Sequence, residues 1–298
     1  MTNYLFGPVL SRRLGLSMGV DLLAYKTCNL DCIYCELGST ACLTCRRDRF
    51  VPPQRVIKEI ASTEKGYDYL TFAGSGEPTL SSDLGQIIRS AKKIIDVPVA
   101  VITNSTLLDN EKVREEVSHA DVVLPSLDAA TPDAFERINR PDPGIRIEKI
   151  ISGLKKFRSE FGGEIWLEVM LVKDVNDDQV ERIADAIESI SPDRVQLNTV
   201  IRPPAEPVLP LDQEEMEKML EIFKGAEIIP DWDWQIPPRV KTDLLGLLSH
   251  RPCTLEDICA LLLLEREEAI KYIKILEGDG RVEKKLHGGK HYFQSVHG

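Results

Sequence analysis

Six apolar runs of strand length alternate with longer helical patterns over most of the chain, and this alternation restricts the fold more than any other feature. Each run is too short for a buried helix, and each is followed by enough residues for a helical crossover, so the pattern predicts βα units on a parallel sheet. The predicted strands are Gly19–Leu23, Tyr69–Ala73, Pro98–Thr103, Val122–Ser126, Ile165–Val172 and Val195–Val200. Their helical partners are Pro53–Ser62, Leu84–Ile95, Asn110–Val117, Arg146–Glu160, Asp178–Ile190 and Gln213–Phe223. The expected fold class is therefore α/β, a partial (β/α)6 barrel of parallel strands. By analogy with the closed eight-unit barrel, the loops after the strands' C-terminal ends should carry the chemistry.

The pattern breaks after Phe223. Pro230 to Pro238 holds three prolines and two tryptophans and reads as a linker packed against something. Three short helical patterns follow, at Leu244–Leu248, Leu255–Leu263 and Ala269–Leu276, and Arg281–Gln294 alternates around Gly288-Gly289 as a hairpin does. Three helices and a wing predict a C-terminal winged helix-turn-helix domain. The expected division is residues 1–225 for the barrel, 226–239 for the linker and 240–298 for the winged domain.

The 298 residues are 43% hydrophobic and 29% charged, enough for an ordinary core. No stretch reaches the roughly 18 to 20 apolar residues of a membrane span, and Met1–Leu10 lacks the charged start and long apolar run of a secretory signal. A cytoplasmic protein without membrane association is expected. The net charge of -11 opposes broad capture of nucleic acid, since phosphate neutralisation needs clustered Lys and Arg. Five of the seven cysteines lie between Cys28 and Cys45, which in a cytosolic chain argues for metal or redox chemistry over a disulfide framework.

Cys28, Cys32 and Cys35 form a C-x3-C-x2-C motif beyond the first predicted strand. Three thiolates on one short loop can ligate three irons of a cubane and leave the fourth open. Zinc is the alternative, but it needs a fourth ligand at tetrahedral geometry. At this motif the sequence resembles the radical SAM superfamily. Phe6-Gly7-Pro8-Val9, Ser11-Arg12-Arg13-Leu14-Gly15, Lys26-Thr27-Cys28, Cys35-Glu36-Leu37-Gly38, Gln196-Leu197-Asn198-Thr199 and Arg202-Pro203-Pro204-Ala205-Glu206 further resemble a group of Fe-S oxidoreductases related to wyosine-forming tRNA enzymes.

The resemblance implies a [4Fe-4S] cluster on Cys28, Cys32 and Cys35, S-adenosylmethionine chelated at the open iron, and one-electron cleavage to a 5'-deoxyadenosyl radical. A reductant such as a flavodoxin or ferredoxin is the implied partner. The resemblance also implies that Tyr34 lies against the adenine, with shielding of the cluster as its alternative. Ala73-Gly74-Ser75-Gly76-Glu77-Pro78-Thr79 resembles the glycine-rich segment that receives the methionyl ammonium, making Gly74, Gly76 and Glu77 cofactor candidates; an ordinary Gly-Pro turn is the plainer reading. Because Pro78 holds Glu77 extended, a structural role suits that carboxylate better than a catalytic one.

Asn104, Ser126 and Asp128 end the third and fourth strands as candidates for ribose or carboxylate contacts, although Asn and Asp there also serve as turn formers. Glu168, Met170 and Val172 share one face of the fifth strand, and Gln196 and Asn198 one face of the sixth. A buried Glu on a parallel strand needs a partner, so Glu168 and Asn198 complete the cofactor candidates. Arg137, Arg140 and Arg202 are candidate anchors for anionic groups, or salt-bridge partners.

Cys42-Leu43-Thr44-Cys45 departs from the resembling family. A second metal site at Cys42 and Cys45, completed by Cys253 and Cys259, is one reading; a redox pair, with Cys259 packed as a small hydrophobe, is the other. In residues 240–298 nine basic residues balance nine acidic ones, and Glu265-Arg266-Glu267-Glu268 opens the third helix, which opposes DNA binding. Lys284, Lys285, His287, Lys290 and His291 surround the wing tip and suit contact with RNA or a protein. The expected function is a radical SAM enzyme acting on a peptide, a protein or an RNA. A tRNA-modifying enzyme and an iron–sulfur-sensing DNA-binding regulator are the alternatives.

Overall fold

A proline or a capping side chain opens several of the helices. In the computed structural model, which describes residues 4–63, 66–229, 238–262, 264, 266–287 and 290–296, Pro53 stands in the first turn of α1 (Pro53–Ser62), where its missing N–H costs nothing. The chain continues through β1 (Leu5–Ser11), β2 (Gly15–Val20), β3 (Thr27–Cys28) and β4 (Cys42–Leu43) before α1, and after it through β5 (Tyr69–Phe72), α2 (Leu84–Ala91), β6 (Val99–Thr103), α3 (Glu111–Val117) and β7 (Val122–Pro125). Next come α4 (Pro132–Asn139), α5 (Ile147–Glu160), β8 (Glu164–Lys173), α6 (Val180–Ile190), β9 (Arg194–Thr199), β10 (Leu209–Pro210), α7 (Gln213–Ile222) and β11 (Glu227–Ile228). Thr131 caps α4 and Asp212 caps α7, the latter in a reciprocal box with Glu215.

The main sheet runs in the order β1-β2-β5-β6-β7-β8-β9-β11, with β10 added antiparallel to β8. Every pairing from β2 to β11 is parallel. This is an α/β fold with a mostly parallel sheet, as the strand–helix alternation predicts. Leu70, Phe72, Val99, Val101, Val123 and Leu124 are fully buried; the strands follow one another in sequence order, and right-handed crossovers then lay the helices on one face of the sheet. Removing each of these side chains from water stabilises the fold by about 1.5–3 kcal/mol.

The predicted first strand, Gly19–Leu23, is corrected to Gly15–Val20. Asp21 ends it: its Oδ1 accepts the Leu23 N–H at 3.1 Å and turns the chain out of the sheet. Helix α4 has no counterpart in the sequence expectation, although Thr131-Pro132-Asp133 carries a capping residue, an N-terminal proline and a first-turn acid.

Contacts divide the chain into two units, Met1–Pro8 with Ser17–Ile229, and Val9–Leu16 with Pro230–Gly298. The second contains α8 (Pro238–His250), α9 (Leu255–Leu262), α10 (Arg266–Gly278) and the antiparallel pair β12 (Val282–His287) and β13 (Lys290–Ser295). Leu244, Leu248, Ile258, Tyr272, Ile273, Leu276, Val282 and Phe293 form a core of its own. The expected linker segment at 230–237 and the Gly288-Gly289 turn lie outside the described residues. Among the described residues no helix is long and apolar enough to cross a membrane.

Candidate functional site

The loop beyond β2 is fastened at three places, and its cysteines follow from that fastening. Lys26 takes a left-handed backbone (φ 54°) and its carbonyl accepts N–H groups from Ala41 and Cys42. Thr27 and Cys28 then pair with Cys42 and Leu43 as β3 and β4. Farther along, Asp31 N donates to Asn139 O and Ile33 N to Ile138 O, which lays the motif on the end of α4. Cys35 N bonds Cys32 O at 3.1 Å, and Gly38 N bonds Cys35 O at 3.1 Å, so the last turn is closed.

Each of the three sulfurs has a side-chain N–H donor beside it, and the backbone N–H groups of Asn29 and Leu30 add to the one at Cys28. Asn104 Nδ2 lies 3.6 Å from Cys28 Sγ, Asn139 Nδ2 3.3 Å from Cys32 Sγ, and Lys26 Nζ 3.1 Å from Cys35 Sγ. Burial pushes the Cys28 thiol up to about 11, with Glu77 adding to it, and raises Cys32 further. Metal coordination reverses that preference, because a coordinated thiol is deprotonated outright. The donor set fits an iron–sulfur cubane: three half-buried, disulfide-free sulfurs on one loop, each with a donor that favours the anionic form. Among the described residues no three His, Cys, Asp or Glu side chains gather as a site for a single metal ion.

A polar cluster stands beside the sulfurs. Tyr34 Oη donates to Asp128 Oδ2 at 2.5 Å, Asn139 Nδ2 reaches the same oxygen at 2.9 Å, and Met170 N bonds Asp128 Oδ1 at 2.9 Å. Asn176 holds the backbone around it through Asp128 O and Met170 O, both at 2.8 Å. Burial raises the pKa of Asp128 and Tyr34 alike, and their mutual bond lets one proton serve both oxygens. Asn104 Nδ2 also bonds Asn29 Oδ1 at 2.7 Å, and Asn29 Nδ2 bonds Thr106 Oγ1 at 2.6 Å. Tyr34, Asn104, Ser126, Asp128 and Asn139 line one cavity, closed on its apolar side by Leu30, Phe135, Ile147 and Ile150. Four of the predicted cofactor residues thus meet at one place.

The glycine-rich segment touches the same loop. A Cβ on Gly76 would lie 1.7 Å from Thr27 O, and one on Gly74, whose φ is 142°, would run into the Asp21 carboxylate. Asp21 Oδ2 accepts the Ser75 N–H at 3.0 Å and its hydroxyl as well. Glu77 is buried; its Oε1 accepts from Thr79 N, Thr79 Oγ1 and Thr103 Oγ1, and its Oε2 from Asn104 N at 2.7 Å. Desolvation raises its pKa and these donors pull the other way. The carboxylate therefore ties the glycine segment to the end of β6.

Glu168 and Asn198 pair on adjacent strands, Asn198 Nδ2 donating to Glu168 Oε1 at 2.7 Å. Gln196, on the same face, reaches Glu227 Oε1 at 2.8 Å. The arginines form ion pairs: Arg137 with Asp178, Arg140 with Glu206 and Arg202 with Glu36. Cys42 is exposed on β4, and burial together with Asp142 pushes the Cys45 thiol up to about 11. Cys253 is buried within the second unit, bridged to Phe293. The second metal site built from these four cysteines is not supported, since no such ligand group occurs among the described residues.

Lys26, Asp21, Asn29, Asn139 and Asn176 carry much of this arrangement and were absent from the sequence candidates. Lys26 stands two residues before Cys28 and its proximity was a usable signal. Asn139 has none, because it is distant in sequence and arrives at the end of an unpredicted helix.

Known proteins resemble this chain in sequence and in fold. A family model described as "Radical SAM superfamily" matches residues 22–187. A UPF0026 protein of Methanocaldococcus jannaschii is 31% identical over 311 residues, covering 97% of this chain and 94% of that protein. A Brachyspira hyodysenteriae protein named GTPase Obg is 38% identical over 302 residues, 97% of this chain; the match spans 44% of that longer protein. Among solved structures, a radical SAM methyltransferase from Sphaerobacter thermophilus shares the fold with a TM-score of 0.54 at 17% identity, over 71% of this chain and 66% of its own.

Proposed function

The chain belongs to the radical SAM superfamily of enzymes, and we propose that Cys28, Cys32 and Cys35 hold its [4Fe-4S] cluster, with S-adenosylmethionine at the open iron. When bound, the cluster supplies the electron that divides S-adenosylmethionine into methionine and a 5'-deoxyadenosyl radical, which removes hydrogen from a substrate. The single observation that carries the assignment is the donor beside each sulfur, from Asn104, Asn139 and Lys26, on the loop that follows the first parallel strand.

The protein's residues have separable tasks in this reading. Gly74 and Gly76 let the backbone approach the cluster loop closely enough to receive the methionyl group, and Glu77 fixes that segment rather than reacting. Asn104, Ser126 and Asp128 present polar atoms to the cofactor's nucleoside, Tyr34 packs its ring on the adenine, and Glu168 with Asn198 closes the far side. A one-electron reductant of the flavodoxin or ferredoxin type supplies the cluster. Residues 1–225 form the partial barrel and 240–298 a winged helix-turn-helix; the order α8-α9-α10 followed by a hairpin supports the latter reading.

Anaerobic reconstitution with iron and sulfide, followed by dithionite and S-adenosylmethionine, should release 5'-deoxyadenosine. Cys28→Ala, Cys32→Ala and Cys35→Ala should each reduce the yield by more than about 100-fold, beyond the roughly 10- to 100-fold that loss of a residue behind a metal ligand costs. Cys42→Ser with Cys45→Ser should keep it. Product formation by a Cys32→Ala variant, or none from fully reconstituted wild type, overturns the proposal.

A further inference from the structure

We infer that Lys26 sets the reduction potential of the cluster by placing its ammonium against the Cys35 sulfur. The inference rests on the assignment of the cluster to Cys28, Cys32 and Cys35. Lys26 is only 3% exposed, and its Nζ lies 3.1 Å from Cys35 Sγ. No carboxylate lies within ion-pairing distance of it among the described residues, so the sulfur is the anionic partner that this ammonium has. A buried ammonium is costly unless a negative group meets it, and a thiolate on a cluster meets that need.

The backbone adds a second, independent observation. Lys26 adopts a left-handed conformation, φ 54°, which glycine takes without strain and lysine does not. If the position served only to turn the chain, glycine would serve it better. A lysine held there against its conformational preference points to the side chain as its purpose.

Hydrogen bonds to the sulfurs and nearby charge are the main controls a protein has over an iron–sulfur potential. One-electron reduction, by dithionite or a reductant protein, adds one negative charge to the site. Lys26 faces that charge with a full positive charge, whereas Asn104 and Asn139 offer neutral amide donors to Cys28 and Cys32. Lys26 therefore favours the reduced form, and the two asparagines contribute less.

The test is a redox titration followed by electron paramagnetic resonance, on full-length reconstituted protein with iron and sulfide counted in each sample. Wild type is compared with Lys26→Met, Lys26→Gly and Lys26→Arg. In the Met and Gly variants the reduced-to-oxidised ratio at a fixed potential should fall about tenfold, equivalent to ~59 mV for one electron. Arg should restore most of it. Two neutral variants are used so that one with poor cluster retention does not decide the matter. Met and Gly clusters that titrate with wild type, or a Gly variant that alone retains the wild-type potential, overturn the inference and leave the cluster assignment standing. Wild type that binds no iron and sulfide overturns both.

Discussion

At Gly76 a single methyl group decides whether two segments can meet. Its Cβ would sit 1.7 Å from Thr27 O, a backbone atom that cannot swing aside, and Glu77 N donates to that same carbonyl at 3.2 Å. Gly76→Ala should therefore cost about 1–3 kcal/mol, the range for forced overpacking, and should weaken cluster retention because Thr27 precedes Cys28. Gly162→Ala is the matched control, since nothing lies within 4 Å of its added Cβ. Thermal melts and iron content of the two variants check this; equal behaviour of the pair would show that the close approach is unimportant. The same residue scale explains why Glu77 resists reading as a reactive group. Four donors occupy its oxygens, and a carboxylate so engaged positions its neighbours.

Helix α4 shows how an element delivers chemistry from a distance. Thr131 Oγ1 caps it by accepting the Ala134 N–H at 3.4 Å, Pro132 fixes the first turn, and Arg140 ends it in a left-handed conformation. Asn139, its last residue, thereby reaches both Cys32 Sγ and Asp128 Oδ2. The carbonyls of Ile138, Asn139 and Arg140 receive N–H groups from Ile33 and Asp31, so the helix terminus satisfies the loop and the loop satisfies the terminus. Thr131→Ala should lower stability by about 1 kcal/mol, as loss of a capping oxygen does. It should leave the cluster in place, because the packing of Phe135 and Ile138 still holds the helix. Urea denaturation with parallel absorbance spectra separates the two effects; loss of the cluster at unchanged stability would contradict this account.

Several ionic pairs link segments far apart in sequence. Arg114 is buried and donates to Glu160 through Nε at 2.7 Å and Nη2 at 3.1 Å, joining α3 to α5. That bond holds the Glu160 carboxyl below its usual value. A depressed folded pKa means that the folded state binds fewer protons, so the stabilisation is present above the unfolded value of about 4.3 and is lost as pH falls through the folded value. Wild type should therefore have a higher urea midpoint than Glu160→Gln at pH 7, and the difference should vanish once the carboxyl is protonated. A difference that persists at pH 2 would assign it to packing. Burial gives Glu77 and Asp128 the opposite sign, so the acid response of wild type alone sums opposing contributions.

The sequence by itself determined the strand–helix alternation, and with it the parallel sheet, because hydrophobic periodicity is a local property that burial enforces. It also determined the superfamily, since three cysteines at that spacing need only one short loop to act together. Tyr34, Asn104, Ser126 and Asp128 were legible as polar residues at loop and strand ends, and the fold gathers them around one cavity. What only the tertiary structure decided is the second layer, in which Asn139 and Asp21 reach the site from other segments and Lys26 turns inward against its backbone preference. Such contacts depend on where the chain returns in space, and no periodicity or spacing along the sequence encodes that return. The first strand's early end has the same origin in part: the Asp21 turn is local, but its pairing with Tyr4 O and Ser75 is not.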